Sequence, residues 1–145
     1  MNEKELLTPD ETFQVKSAIK EAELNTSGEI RVHIEKKCKG DIMDRAAFVF
    51  EKLAMYKTEL RNGVLFYLAT SDKKFAILGD AGINAKVPEG FWESVKDHMQ
   101  DLFKKGEFAK GLSDGIKMAG ISLKEHFPYQ KDDVNELSDE ISFGK

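Results

Sequence analysis

Asn62-Gly63-Val64-Leu65-Phe66-Tyr67-Leu68-Ala69-Thr70-Ser71-Asp72-Lys73-Lys74-Phe75-Ala76-Ile77-Leu78 is the stretch that decides the fold. Val64 to Ala69 is apolar throughout, a pattern that suits a strand buried on both faces, so it is expected at the centre of a sheet. Ser71-Asp72-Lys73 is a short turn, so Lys74 to Leu78 should return as the second arm of an antiparallel hairpin. Upstream, Ile30, Val32 and Ile34 alternate with Glu29, Arg31, His33 and Glu35. That period of two predicts a strand with one buried face and one wet or partly covered face. A helical segment separates it from Val64, so these two strands should run parallel through a right-handed crossover.

The helices have readable ends. Thr8-Pro9-Asp10-Glu11 is a capping box with proline at the first helical position. Phe13, Ala18, Ile19 and Ala22 supply its apolar stripe, and Asn25-Thr26-Ser27-Gly28 stops it. Asp41 caps the second helix, whose inner face is read as Phe48, Val49, Leu53 and Tyr56. After the loop Gly79-Asp80-Ala81-Gly82, Pro88 opens a third helix with the stripe Trp92, Val95, Met99, Leu102 and Phe103. A fourth carries Phe108, Leu112, Ile116, Ala119 and Leu123, and ends at Phe127-Pro128. Glycines 111, 115 and 120 cost it helix propensity, and close approach of its backbone to the sheet would account for them. The order α-β-α-β-β-α-α implies an α/β fold, a three-layer α/β/α sandwich around a small mixed sheet. The domain is expected over residues 1–128. Residues 129–145 hold five acids and two lysines, which reads as an acidic, mobile tail.

The 145-residue chain is long enough for a core without staples. Its net charge of −4 and isoelectric point near 5.5 argue against a nucleic-acid binder. A single cysteine excludes an intramolecular disulfide and multi-cysteine zinc sites. The start of the chain is polar, with no apolar leader, and no run is long enough to span a bilayer. A cytoplasmic, monomeric protein is the resulting expectation.

Standard catalytic signatures mostly fail. Neither nucleotide-binding glycine loop occurs, nor Asp-x-Asp. Cys38 and Arg45 enclose six residues where a cysteine phosphatase loop needs five. His33, His98 and His126 are scattered and read as structural, and Cys38 as a loop thiol.

One polar cluster follows from topology. The two parallel strands start at the same sheet end, and the returning hairpin arm finishes there. Ser27, Glu29, Arg61, Asn62 and Asp80 therefore converge on one edge. Two carboxylates, an amide oxygen and loop carbonyls are ligands that hard cations such as calcium prefer. The competing reading is plain turn chemistry, with Asp80 starting one turn, Asn62-Gly63 making another and Glu29 paired to Arg61.

Ser27-Gly28-Glu29-Ile30-Arg31-Val32, Arg61-Asn62-Gly63-Val64-Leu65 and Leu78-Gly79-Asp80-Ala81-Gly82-Ile83 together resemble the signature blocks of the TPM domain family. Phe103-Lys104-Lys105-Gly106-Glu107-Phe108 with Gly111-Leu112-Ser113-Asp114-Gly115-Ile116 is similar to the family's closing block. The resemblance spans roughly residues 8–128 and implies the α/β/α sandwich. It also implies divalent-cation binding, calcium before magnesium, at Glu29, Asn62 and Asp80, with Asp114 as a weaker addition. Some members of the family are acid phosphatases of the thylakoid lumen that assist photosystem II repair. Others are membrane-anchored bacterial proteins. Two functions follow as expectations. One is a metal-dependent phosphomonoesterase (a hydrolase) with Asp80, Glu29 and Arg61 as catalytic groups. The other is a non-catalytic calcium-binding module whose partner is a protein. The chain departs from the family in its looser Gly79-Asp80-Ala81-Gly82 loop and in lacking a visible leader or membrane segment.

Overall fold

A computed structural model describes residues 7–129 and 141–144. The elements in order are α1 (Pro9–Glu23), β1 (Glu29–Glu35), α2 (Ile42–Lys52), a 3-10 turn (Met55–Lys57), β2 (Gly63–Ala69) and β3 (Lys74–Gly79). They continue with α3 (Ala81–Asn84), α4 (Phe91–Lys104), α5 (Phe108–His126) and β4 (Ser142–Phe143). The sheet order is β3-β2-β1-β4. β1 runs parallel to β2 with Glu29 opposite Gly63 and Glu35 opposite Ala69. β3 returns antiparallel, with Gly79 opposite Val64. The expected mixed sheet with β2 inside it is therefore present, and every residue of β2 is buried.

Two cores flank the sheet. Ile30, Val32, Ile34, Val64, Phe66 and Leu68 pack under α1, α4 and α5. Leu65, Tyr67, Ala69 and Ala76 pack under α2 and Met55. The capping box at Thr8 and Glu11 is formed in both directions.

Several details differ from the reading of the sequence. Phe13 is exposed, and Val15 takes the inward place on α1. Phe48 and Tyr56 face solvent; the Phe48 ring lies under the Arg45 guanidinium at 5.0 Å. α4 starts at Phe91 after Gly90, rather than at Pro88. The glycines of α5 face helices rather than the sheet. A Cβ at Gly111 or Gly115 would press on Phe103 or Met99 of α4, and one at Gly120 on Ala22 of α1. The second face of β1 is not wet, because Glu29, His33 and Glu35 are all buried. The expected acidic tail divides. Residues 130–140 and 145 lie outside the described residues, whereas Ser142 and Phe143 pair in parallel with His33 and Ile34.

Candidate functional site

β1 carries a buried polar group at each end. The start of β1 is pinned first. Thr26 donates its hydroxyl to the carbonyls of Leu123 and Phe127 and accepts from the Gly28 amide. A Cβ on Gly28 would run into Leu123, so glycine lets α5 close over this corner. The Ile30 amide, on an edge that β4 does not reach, donates to Glu23 Oε2 at 2.8 Å.

Glu29, Asn62 and Asp80 meet at this end, as topology requires. They are 2%, 1% and 6% exposed. The Glu29 amide donates to the Asn62 carbonyl, and the Asp80 amide to the Gly63 carbonyl. Asn62 Nδ2 donates to Ser27 Oγ at 3.2 Å. Arg61, in the left-handed region at φ +52°, turns its carbonyl to the Gly82 amide at 2.8 Å. Only glycine fits there, because a Cβ would collide with the carbonyl oxygens of Leu60 and Arg61. What reads as a glycine loop is thus the end of β3 and the cap of α3, with Asp80 accepting from the Ala81 amide at 2.7 Å.

The guanidinium of Arg61 decides the chemistry of this edge. Nε and Nη2 reach the two Asp80 oxygens at 2.7 and 2.8 Å. The paired carboxylate further favours the protonated guanidinium. Arg61 thus pairs with Asp80 and not, as the turn reading had it, with Glu29. The Arg61 side chain is 51% exposed, so it lies over Asp80 from the solvent side. Asp114 is engaged on α5 and α4, where His98 Nε2 lies 2.9 Å and Lys110 Nζ 3.3 Å away. Burial would raise its carboxyl, but those two hydrogen bonds hold it below the usual range.

The other end of β1 holds a denser cluster that sequence patterning did not single out. Arg45 of α2 donates Nε and Nη2 to the two oxygens of Glu35 at 2.8 and 2.9 Å. Tyr67 donates its hydroxyl to Glu35 Oε2, and His33 Nε2 lies 3.3 Å from Oε1. A carboxylate only accepts, so Nε2 carries the proton and the neutral ring's Nδ1 accepts from the Ser142 hydroxyl at 2.9 Å. The backbone of Gly144 passes over this group, where a Cβ would strike Glu35 Oε1 and His33 Nε2. Burial alone would raise the Glu35 carboxyl. The hydrogen bonds from Arg45, Tyr67 and His33 overcome it and hold the group at about 2. Burial keeps His33 below its ordinary value despite the carboxylate beside it. The signal was present in the register: His33 and Glu35 share a face with Tyr67 and Ala69, and β2 must be covered on that face.

The family model for the TPM domain matches residues 1–120. The chain belongs to the TPM domain family. This TPM domain is 50% identical to the BA42 protein of the psychrophilic bacterium Bizionia argentinensis, whose NMR structure superposes with a TM-score of 0.88 over 95% of each chain. Two more distant solution structures share the fold. The N-terminal domain of a P. gingivalis protein is 19% identical, with a TM-score of 0.66 over 86% of this chain and 83% of that one. The N-terminal domain of the Corynebacterium glutamicum protein cg2496 is 12% identical, with a TM-score of 0.64 over 81% and 74%. No curated protein matches the chain. Among the described residues of this TPM domain, no helix is long and apolar enough to cross a membrane.

Calcium takes six to eight oxygen ligands in flexible geometry. Glu29, Asn62 and Asp80 offer that chemistry at the strand starts. Among the described residues, however, no three His, Cys, Asp or Glu side chains are grouped to hold a metal. Asp80 is meanwhile held by the Arg61 guanidinium.

Proposed function

We propose that this TPM domain is a non-catalytic, calcium-responsive interaction module. Its switch is the exchange of Arg61 for a divalent cation at Asp80. Glu29, Asn62 and Asp80 would hold the ion, which would supply charge neutralisation and order the adjoining backbone. The observation that carries this reading is the pairing of a half-exposed guanidinium with a carboxylate that is 6% exposed. Such an arginine can swing into water at small cost, while the carboxylate cannot follow it. Release of Arg61 would leave a cation on the surface for a partner to read. Asp114 stays outside the proposed set because its carboxylate already accepts from His98 and Lys110. Calcium precedes magnesium, since two carboxylates and neutral oxygens make no rigid octahedral cage. Phosphomonoester hydrolysis is the weaker reading. It asks one guanidinium both to leave Asp80 for the cation and to clamp the phosphate.

Calcium titration followed by amide chemical shifts tests the module. Saturable shifts are expected at residues 28–30, 61–63 and 79–83, abolished in Asp80→Asn and reached at lower calcium in Arg61→Met. No shift at millimolar calcium overturns the cation site. Hydrolysis of p-nitrophenyl phosphate should match that of Asp80→Asn, and turnover that falls in this variant would instead establish the enzyme.

A further inference from the structure

A cavity of about 640 Å³ opens at the C-terminal end of β2, away from the Asp80 edge. Its floor is aromatic. Phe75 meets Phe103 edge-on at 5.0 Å, and Phe103 stacks on Phe108 at 5.1 Å. Three lysines line it: Lys73 from the β2–β3 turn, Lys74 from the start of β3 and Lys104 from the last turn of α4. Among the described residues none of the three has a carboxylate in ion-pair contact. A fourth ammonium, Lys96 Nζ, lies over the Phe75 ring at 5.5 Å. The acid in the lining is Glu11, whose Oε1 is occupied by the Thr8 amide in the capping box of α1. Leu68, Ala69 and Thr70 bring the end of β2 to the wall.

In a chain with a net charge of −4, a lining with three lysines and one acid runs against the average. Clustered lysines repel one another, and an anion between them relieves that repulsion. Open crevices beyond the carboxyl ends of parallel strands are favoured ligand positions in α/β sheets. The volume falls in the range of small-molecule sites, which pair an apolar wall with a few placed polar groups.

We propose that this cavity binds a small organic anion bearing a planar apolar ring, with the ring against Phe75, Phe103 and Phe108 and the anionic group among Lys73, Lys74 and Lys104. An aryl phosphate, sulfonate or carboxylate shares that chemistry. Ring and charge are both required. The rings offer no specific partner to a bare inorganic anion, and a neutral ring leaves the ammonium groups uncompensated. The site is independent of the cation reading, so binding persists in Asp80→Asn and in the presence of chelator.

The experiment uses 1-naphthalenesulfonate, which has no ester to hydrolyse, titrated into the full chain and followed by amide shifts. Saturable shifts are expected at residues 69–75 and 100–108. Inorganic sulfate and 1-naphthol should each bind at least about tenfold more weakly, the loss implied by removing one class of contact. The triple variant Lys73→Gln, Lys74→Gln, Lys104→Gln should weaken the sulfonate by a similar factor while leaving the spectrum of β1 and α5 in place. Phe103→Leu should weaken it without altering the response to salt. Equal affinity for 1-naphthol, shifts centred on the Met118 and Ile121 face of α5, or no saturation by about 10 mM would each overturn the proposal.

Discussion

The two ends of β1 solve the same problem in opposite ways. Each buries a carboxylate and gives it a two-pronged arginine: Glu35 with Arg45, Asp80 with Arg61. At the Glu35 end the arginine side chain is 17% exposed, and a tyrosine, a histidine and the backbone of Gly144 close round the pair. At the Asp80 end the arginine is 51% exposed and nothing among its described contacts covers it from outside. A pair sealed from water is a fixed part of the fold, because breaking it strands a charge. A pair with one partner in water can exchange that partner for something else. The difference teaches that burial of the cation, rather than of the carboxylate, separates a structural pair from a candidate switch.

The largest expected effect breaks the sealed end. Arg45→Met leaves Glu35 buried without its guanidinium and should cost about 3–5 kcal/mol, the usual penalty for orphaning a buried charge. Urea unfolding midpoints measure it. A loss no larger than that of Arg61→Met would erase the distinction between the two ends.

Acid is the next test. Glu35 sits at about 2 in the folded chain against an ordinary 4.5, so its contribution is complete above 4.5 and is lost as pH falls through 2. That shift corresponds to about 3 kcal/mol at most. His33 acts in the same direction, because a depressed histidine is protonated first in the unfolded chain. Its contribution is complete above 6.5 and shrinks below it. Stability should therefore begin to fall just below 6.5 and steepen below 4.5. Glu35→Gln should flatten the lower limb. A profile level between 6.5 and 3 would contradict the sealed cluster.

The smallest effect belongs to Arg61→Met. Its half-exposed guanidinium is screened by water, so the unfolding midpoint should stay close to that of the parent chain. A fall comparable to that of Arg45→Met would show Arg61 to be a structural strut, and the exchange proposed at Asp80 would lose its basis.

The architecture was legible because β2 is apolar on both faces and Ser71-Asp72-Lys73 allows only a short return. Convergence of Glu29, Asn62 and Asp80 followed from strand direction alone. Which of two acids would take Arg61 did not, since that depends on the left-handed turn at Arg61 and the approach of Gly82, features of three-dimensional fit. The Glu35 cluster escaped for a different reason. Alternation on β1 reads as a wet face unless the register with β2 is carried through to its consequence, and Arg45 and Ser142 reach it from elements distant in sequence. β4 was hidden by its setting: Ile141, Ser142 and Phe143 are too few to outweigh the acidic run before them. Phe13 and Phe48 show that an aromatic at helical spacing can still face water when the sheet below is already covered.

β4 also has a bearing on how the chain assembles during synthesis. Ser142 meets His33 across 109 positions of sequence. The first core includes Ile141, with Phe143 packed against it, so that core too is completed by this segment. Without it β1 has its outer edge open near His33 and Ile34, and the imidazole lacks its hydroxyl partner. β4 thus closes the outer edge of β1, and a chain truncated before Ile141 would present that strand edge to a chaperone or a second copy.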